Sequence, residues 1–211
     1  MPMPGNCCAP RWKAATAYSN LAAAALGVDD NARAEEYARR AVEAALGDLP
    51  ARHPRTAVAL NNLAQACRFQ GKYLEAETYY RQAIGIWEDA LGAQHPDLAR
   101  GLMNLAGFYH ERGRESGAED IYRHAAAILE QSLGKDNAEA LVARNELADV
   151  LRAELRYTES EKLSRATLAA MQGAFGDGDP RLVRAQVNYA RLREETHGLA
   201  QARKIKVKTL R

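Results

Sequence analysis

The sequence predicts an all-α solenoid of about five helix-turn-helix repeats, and three observations carry that prediction. The phrase Asn20-Leu21-Ala22 returns as Asn62-Leu63-Ala64, Asn104-Leu105-Ala106, Glu146-Leu147-Ala148 and Asn188-Tyr189-Ala190, every step being 42 residues. Inside each period the apolar positions recur at helical spacing, with Gly or Pro between the runs. The composition, 47% hydrophobic and 27% charged, is that of an ordinary folded chain rather than a disordered one. A fixed period of this size marks units that bury their apolar faces only against their neighbours.

The second unit shows how each element arises. His53-Pro54 opens it, a polar cap followed by a residue whose missing N–H costs nothing at the first helical position. The same columns read His95-Pro96, Asn137-Ala138 and Asp179-Pro180, so the shared property is side-chain hydrogen bonding and the two histidines are read as caps. A first helix is predicted from about Pro54 to Gln70, with Gly71 and, one unit later, Gly113 as left-handed stops. A second helix follows from about Lys72 to Ala90 and ends at Leu91-Gly92, echoed by Leu133-Gly134 and Phe175-Gly176. The expected organisation is a flexible tail at 1–11 and a repeat domain at 12–211. Its units lie at about 12–53, 54–95, 96–137, 138–179 and 180–211, giving ten helices with breaks near 28, 50, 71, 93, 113, 135, 155, 177 and 197.

At 100° per residue, positions 59, 63, 66 and 67 share one face of the first helix. Their columns are small (Ala17, Ala59, Gly101, Ala143, Ala185) or Leu-rich (Leu21, Leu63, Leu105, Leu147), and they form the predicted contact surface. Ala64 and Ala106 are expected to be buried where the helices of a hairpin touch. The second helix carries a small column too, Ala34, Ala76, Ala118, Ser160 and Ala202. Glu35/Arg39, Glu77/Arg81, Glu119/Arg123 and Glu161/Arg165 are spaced as helix ion pairs, worth roughly 0.2–0.5 kcal/mol each.

Several function classes fall away. A net charge of +2 gives no electrostatic footprint for nucleic acid. No apolar run approaches the roughly 18 residues of a membrane span, and the Ala-rich run after Lys13 is too polar at Thr16, Ser19 and Asn20 for a secretion signal. Cys7, Cys8 and Cys67 form no spaced framework and read as reduced thiols of a cytoplasmic protein. His110-Glu111 lacks the second His of a metalloprotease helix, and Asp177-Gly178-Asp179 lacks the closing Glu of a calcium loop. The expectation is no enzyme, no cofactor and no metal.

The phrases Leu60-Asn61-Asn62-Leu63-Ala64, Gly71-Lys72-Tyr73-Leu74-Glu75-Ala76-Glu77, Leu91-Gly92 and His95-Pro96 resemble the tetratricopeptide repeat, specifically the 42-residue kinesin light chain-like subtype. The resemblance covers about residues 12–211. It implies a right-handed superhelix whose first helices line a concave, peptide-holding groove. The heptad coiled coil that precedes the repeats of kinesin light chains is not matched, so a motor-complex role is not implied. Asn145-Glu146 departs from the double-Asn phrase. Lys206, with Lys204 and Lys208 nearby, stands where Tyr80 and Tyr122 stood, as a polar solenoid end requires.

The face opposite the core varies between units and is where partner-specific residues are expected. The groove candidates are Asn61, Gln65, Arg68, Arg100, Met103, His110, Asn145, Arg152, Arg184 and Arg191, a locally basic set. Asn62, Asn104 and Asn188 recur in one column and are read as structural or as holding a peptide backbone. The leading expectation is a non-catalytic adaptor that binds an extended, acidic peptide segment. A self-associating scaffold and a regulatory array of a signalling enzyme system stay open beside it. Trp12, Tyr18 and the apolar stretch Leu21–Leu26 are expected to be incompletely covered, which leaves a homodimer through a chain end open as well.

Overall fold

The computed structural model describes the backbone of residues 11–209 and the side chains of residues 12–198. The expected tail, Cys7, Cys8, Ala202 and the three terminal lysines lie outside the described side chains. Among the described residues there are nine α-helices and no strand. They are α1 (Arg11–Gly27), α2 (Asn31–Asp48), α3 (Pro54–Phe69), α4 (Tyr73–Leu91), α5 (Pro96–Glu111), α6 (Glu115–Leu133), α7 (Ala138–Ala153), α8 (Tyr157–Ala174) and α9 (Pro180–Thr209).

Eight of the nine expected breaks are present; the one near 197 is not, and α9 runs through it for 30 residues. The turn column explains the difference in part. Asp29, Gly71, Gly113 and Leu155 all adopt positive φ, at 57°, 76°, 68° and 62°. An L-residue held there is strained, and Leu155 holds that conformation in the turn between α7 and α8. His197 occupies the same column, and there the helical hydrogen-bond ladder continues instead.

The caps form as the sequence indicates. His53 Nδ1 accepts from the Arg55 N–H and His95 Nδ1 from the Asp97 N–H, both at 3.1 Å. Asn137 and Asp179 accept from Glu139 and Arg181 in the same way, at 2.9 and 2.8 Å. Each cap satisfies one of the amide donors that a helix start leaves without a backbone partner.

The chain divides into two compact units, Met1–Leu105 and Ala106–Arg211. Unit one packs α1 to α4 and the first part of α5. Its first hairpin closes on small side chains, with Ala22, Ala34, Ala38, Ala41 and Ala45 fully buried, and Tyr80 and Trp87 fill the space further on. Gly101 is the small residue of α5 that accommodates Trp87: a Cβ there would overlap the indole ring. Unit two has the larger side chains, with Phe108, Tyr122, Ile128, Leu129, Leu141, Val150, Met171, Leu182 and Leu192 buried. Ala64 and Ala106 are both fully buried, as expected. Ser160 replaces Ala in the small column and satisfies its hydroxyl by donating to the Ala148 carbonyl at 2.7 Å.

Three of the four expected helix ion pairs form, Glu35–Arg39, Glu77–Arg81 and Glu119–Arg123. Glu161 instead pairs with Arg193 on α9 at 3.1 Å. Arg193 sits in the column that is buried as Ala25, Cys67, Tyr109 and Leu151 in the other units. With α9 unbroken and no second helix folded back on it among the described side chains, Arg193 is exposed and reaches α8. Further pairs join successive repeats: Lys72 to Glu35 at 2.7 Å in unit one and Arg156 to Glu119 at 2.5 Å in unit two.

Candidate functional site

In unit one the candidate residues of α3 and α5 divide into buried amides and side chains that reach solvent. Asn61 and Asn62 are buried. Asn62 Nδ2 donates to the Ser19 carbonyl of α1 at 3.0 Å, and Asn104 Nδ2 donates to Asn61 Oδ1 at 3.0 Å. Both bonds cross from one first helix to the preceding one, so these two members of the Asn column hold the stack together. Gln65 and Met103 are half-buried, and the half-buried Arg68 lays its guanidinium 4.9 Å from the Phe69 ring centre. Arg100 is exposed and pairs with Asp97 one turn earlier.

In unit two the equivalent face is ionic. His110 lies between Glu115 Oε2 at 2.5 Å and Asp149 Oδ2 at 3.3 Å. Arg152 bridges Asp149 at 2.7 Å and Glu195 at 2.8 Å. Arg184 holds Glu146 at 2.7 Å, and Arg191 stands 4.0 Å from Asp149. Asn145 is buried and donates to Glu146 Oε1 at 3.2 Å; Asn188 is half-buried. The Asp149 hydrogen bond, helped by Glu115 against the cost of burial, lifts His110 to about 9, so its ring is an imidazolium at neutral pH. Burial alone would raise Asp149, but the bonds from His110 and Arg152 outweigh it and hold the carboxyl at about 2. Glu146 goes the other way, raised by burial despite the attraction of Arg184.

This corrects the expectation that Asn61 and Asn145 lie on an open face. Asn61 and Asn145 are buried, and the four cations of unit two each face a carboxylate of the same unit. The sequence reading missed Glu115 and Glu195 and took Glu146 only as a broken phrase. A signal was there: His110–Asp149, Arg152–Glu195 and Arg184–Glu146 are separated by 39, 43 and 38 residues, all near the repeat length.

In unit two the candidates that remain open to solvent lie on α9. Arg184 and Arg191 are 64% and 50% exposed, and Val187 between them is 52% exposed. At 100° per residue these three fall within about 60° of one another, away from the buried side of α9 at Leu182, Ala185 and Leu192. Elsewhere, unit one has an open cleft of about 530 Å³ lined by Val42, Leu46, Leu60 and Ile86, with Arg52 and Asp89 also in its wall. It contains none of the candidate residues. Cys67 is buried and its thiol is pushed up to about 11, chiefly by burial, which leaves it an inert core residue. No group of three or more His, Cys, Asp or Glu among the described residues is arranged to hold a metal ion, and no described helix is long and apolar enough to cross a membrane.

The family model of the tetratricopeptide repeat matches residues 13–89 and 55–131. Among solved structures the chain is similar to the nearly identical TPR-like repeats of a Podosopora anserina kinesin light chain candidate. The identity is 23% and the TM-score 0.71, over 93% of this chain and 96% of that one. BtubC (BKLC) from P. vanneervenii gives a TM-score of 0.73 at 19% identity, over 91% of this chain and 79% of that one. Aspartyl phosphate phosphatase F from Bacillus subtilis gives 0.72 at 16% identity, over 94% of this chain and 51% of that one. At these identities the likeness is one of fold. None of the curated protein sequences matches.

Proposed function

The chain belongs to the tetratricopeptide repeat family, and on that basis we propose that it is a non-catalytic protein-interaction module for an extended, acidic segment of a partner. The observation that carries this reading is the α9 stripe, an exposed Val187 flanked by two half-open arginines. A guanidinium carries five N–H donors, and Glu146 engages one nitrogen of Arg184, so a partner carboxylate can share the same fork. Val187 supplies an apolar seat for one anchoring side chain. His110, Arg152 and Asn145 serve this reading as the framework that fixes the helices of unit two, as Asn61 does separately for those of unit one. Within unit one, considered by itself, Gln65, Arg68, Arg100 and Met103 reach solvent and are proposed as separate contacts for such a segment.

The test is a fluorescence-anisotropy titration with labelled twelve-residue peptides, one rich in Asp and Glu around a central Leu, one rich in Lys around the same Leu. Binding of the acidic peptide alone is expected, weakening as salt shortens the Debye length below about 10 Å. Arg184→Gln with Arg191→Glu should abolish it, while Arg193→Glu, on the α8 side, should not. Circular dichroism checks that the helices persist. Preference for the basic peptide, or undiminished binding after the double substitution, overturns the reading.

A further inference from the structure

The exposed side of α1 repeats, column for column, a surface that the first helices of the second, third and fourth repeats bury. In the later first helices the equivalents of Ala17, Leu21 and Ala24 face the preceding unit. Ala66 packs with Ala25 and Ala34, Gly101 lies against Trp87, and Ala185 packs with Met171. Ala59, Leu63 and Ala66 are buried, as are Ala143, Leu147 and Val150. On α1 the same columns are open: Ala17 and Ala24 are exposed, Leu21 is 45% exposed, and Val28 just beyond the helix is 74% exposed. No described residue covers them. A solvated helix face normally carries charged and polar side chains, yet from Ala14 to Val28 there is no charged residue, the run being bounded by Lys13 and Asp29.

We infer that this face is where two copies of the chain pair, α1 against α1, antiparallel. Two features on the face select a second copy as its occupant. The apolar positions 14, 17, 21, 24 and 28 are spaced alternately by three and four residues, the spacing that keeps one seam facing a partner helix. A two-fold axis near Leu21 brings the two Leu21 side chains together and sets Ala17 of each copy beside Ala24 of the other, so the surface complements itself as an isologous contact must. The ends then match in charge, because the same axis places each exposed Lys13 beside Asp29 of the other copy. Asn20 lies near the same axis; its counterparts Asn62 and Asn104 donate to a preceding first helix, and Asn20 is exposed and available to do the same. One helix face is a small interface, so the dimer is a concentration-dependent one rather than an obligate one. This pairing uses none of the α9 stripe, and it stands or falls independently of the peptide reading.

Sedimentation velocity over a concentration series tests it. The chain should shift from monomer towards dimer as concentration rises. Leu21→Lys should weaken the association by more than about tenfold, since it places two charges at the centre of the contact, without loss of helical circular dichroism. Lys13→Glu, away from the centre, should weaken it less. Leu21→Cys under mild oxidation should give a disulfide-linked dimer joined at position 21 of both copies, identified by peptide mass mapping. A monomer at every concentration, a dimer indifferent to Leu21→Lys, or a cross-link map that joins other segments would each overturn the inference.

Discussion

On matching columns, the two units join their first helices with different chemistry. Unit one uses neutral amides: Asn62 to the Ser19 carbonyl, and Asn104 to Asn61. Unit two replaces the Asn column by Glu146 and the Gln65 column by Asp149, and meets them with Arg184, His110 and Arg152. The repeat geometry therefore constrains volume and backbone spacing but leaves charge open. The choice has a physical consequence. An amide pair that loses one partner bears the desolvation of a neutral group, whereas a half-buried ion network that loses a member leaves a charge unpaired and bears a larger penalty.

Removing Asp149 is the sharpest way to break this comparison. Asp149→Leu leaves the His110 imidazolium and Arg152 without their shared carboxylate, and should cost about 3 kcal/mol in denaturant unfolding. Asn61→Leu, which removes only the acceptor for Asn104, should cost about 1–2 kcal/mol. Equal costs would show that the ionic network is no more demanding than the amide one.

Titration distinguishes the units next. His110 is raised in the folded state from 6.5 to about 9, so its contribution is complete below pH 6.5 and is lost as pH rises towards about 9. Asp149 is lowered from 3.8 to about 2, so its contribution is present above pH 3.8 and is lost as pH falls towards about 2. Hydrogen exchange, corrected for its intrinsic pH dependence, should loosen in α6 and α7 between about pH 6.5 and 9 while α2 and α3 hold. Uniform loosening in both units would count against the assignment.

Gly101→Ala tests unit one in its own terms. Ala favours a helix over Gly by about 0.5–1 kcal/mol, but the new methyl would overlap the Trp87 ring. Overpacking should prevail, with a net loss of about 1–2 kcal/mol by thermal melting. The smallest effect is expected at Leu155, exposed and held at φ 62°. Leu155→Gly should stabilise unit two by up to about 1 kcal/mol, since it removes the left-handed strain of an L-residue. A loss there would mean that Leu155 is held by contacts stronger than its exposure indicates.

How much could be read in advance follows from the same chemistry. The helices, the four caps and the buried Ala64 and Ala106 depend on local propensity and on a strict 42-residue register, which a linear sequence displays directly. The unbroken α9 was missed because the turn near 197 depends on whether a second helix packs back, a tertiary matter that His197 does not encode. The carboxylate partners were not legible because a helical wheel places Arg152 and Arg184 on one side without showing that Glu195 and Glu146, one repeat away, end up beside them. Asn61 read as outward for the same reason: the wheel knows its own helix and not the neighbour that covers it.

The place of Trp87 has one more use. The chain has two tryptophans, and both lie in unit one: Trp87 buried between α4 and α5, and Trp12 beneath the guanidinium of Arg55 at 4.2 Å. Indole emission is thus a private optical channel for residues before Leu105, dark to everything after it, while far-ultraviolet ellipticity sums the helices of both units. Following the two signals through a single melt separates the units without any label. The order in which emission and ellipticity move tells which set of first helices, the amide-joined or the ionic, lets go first.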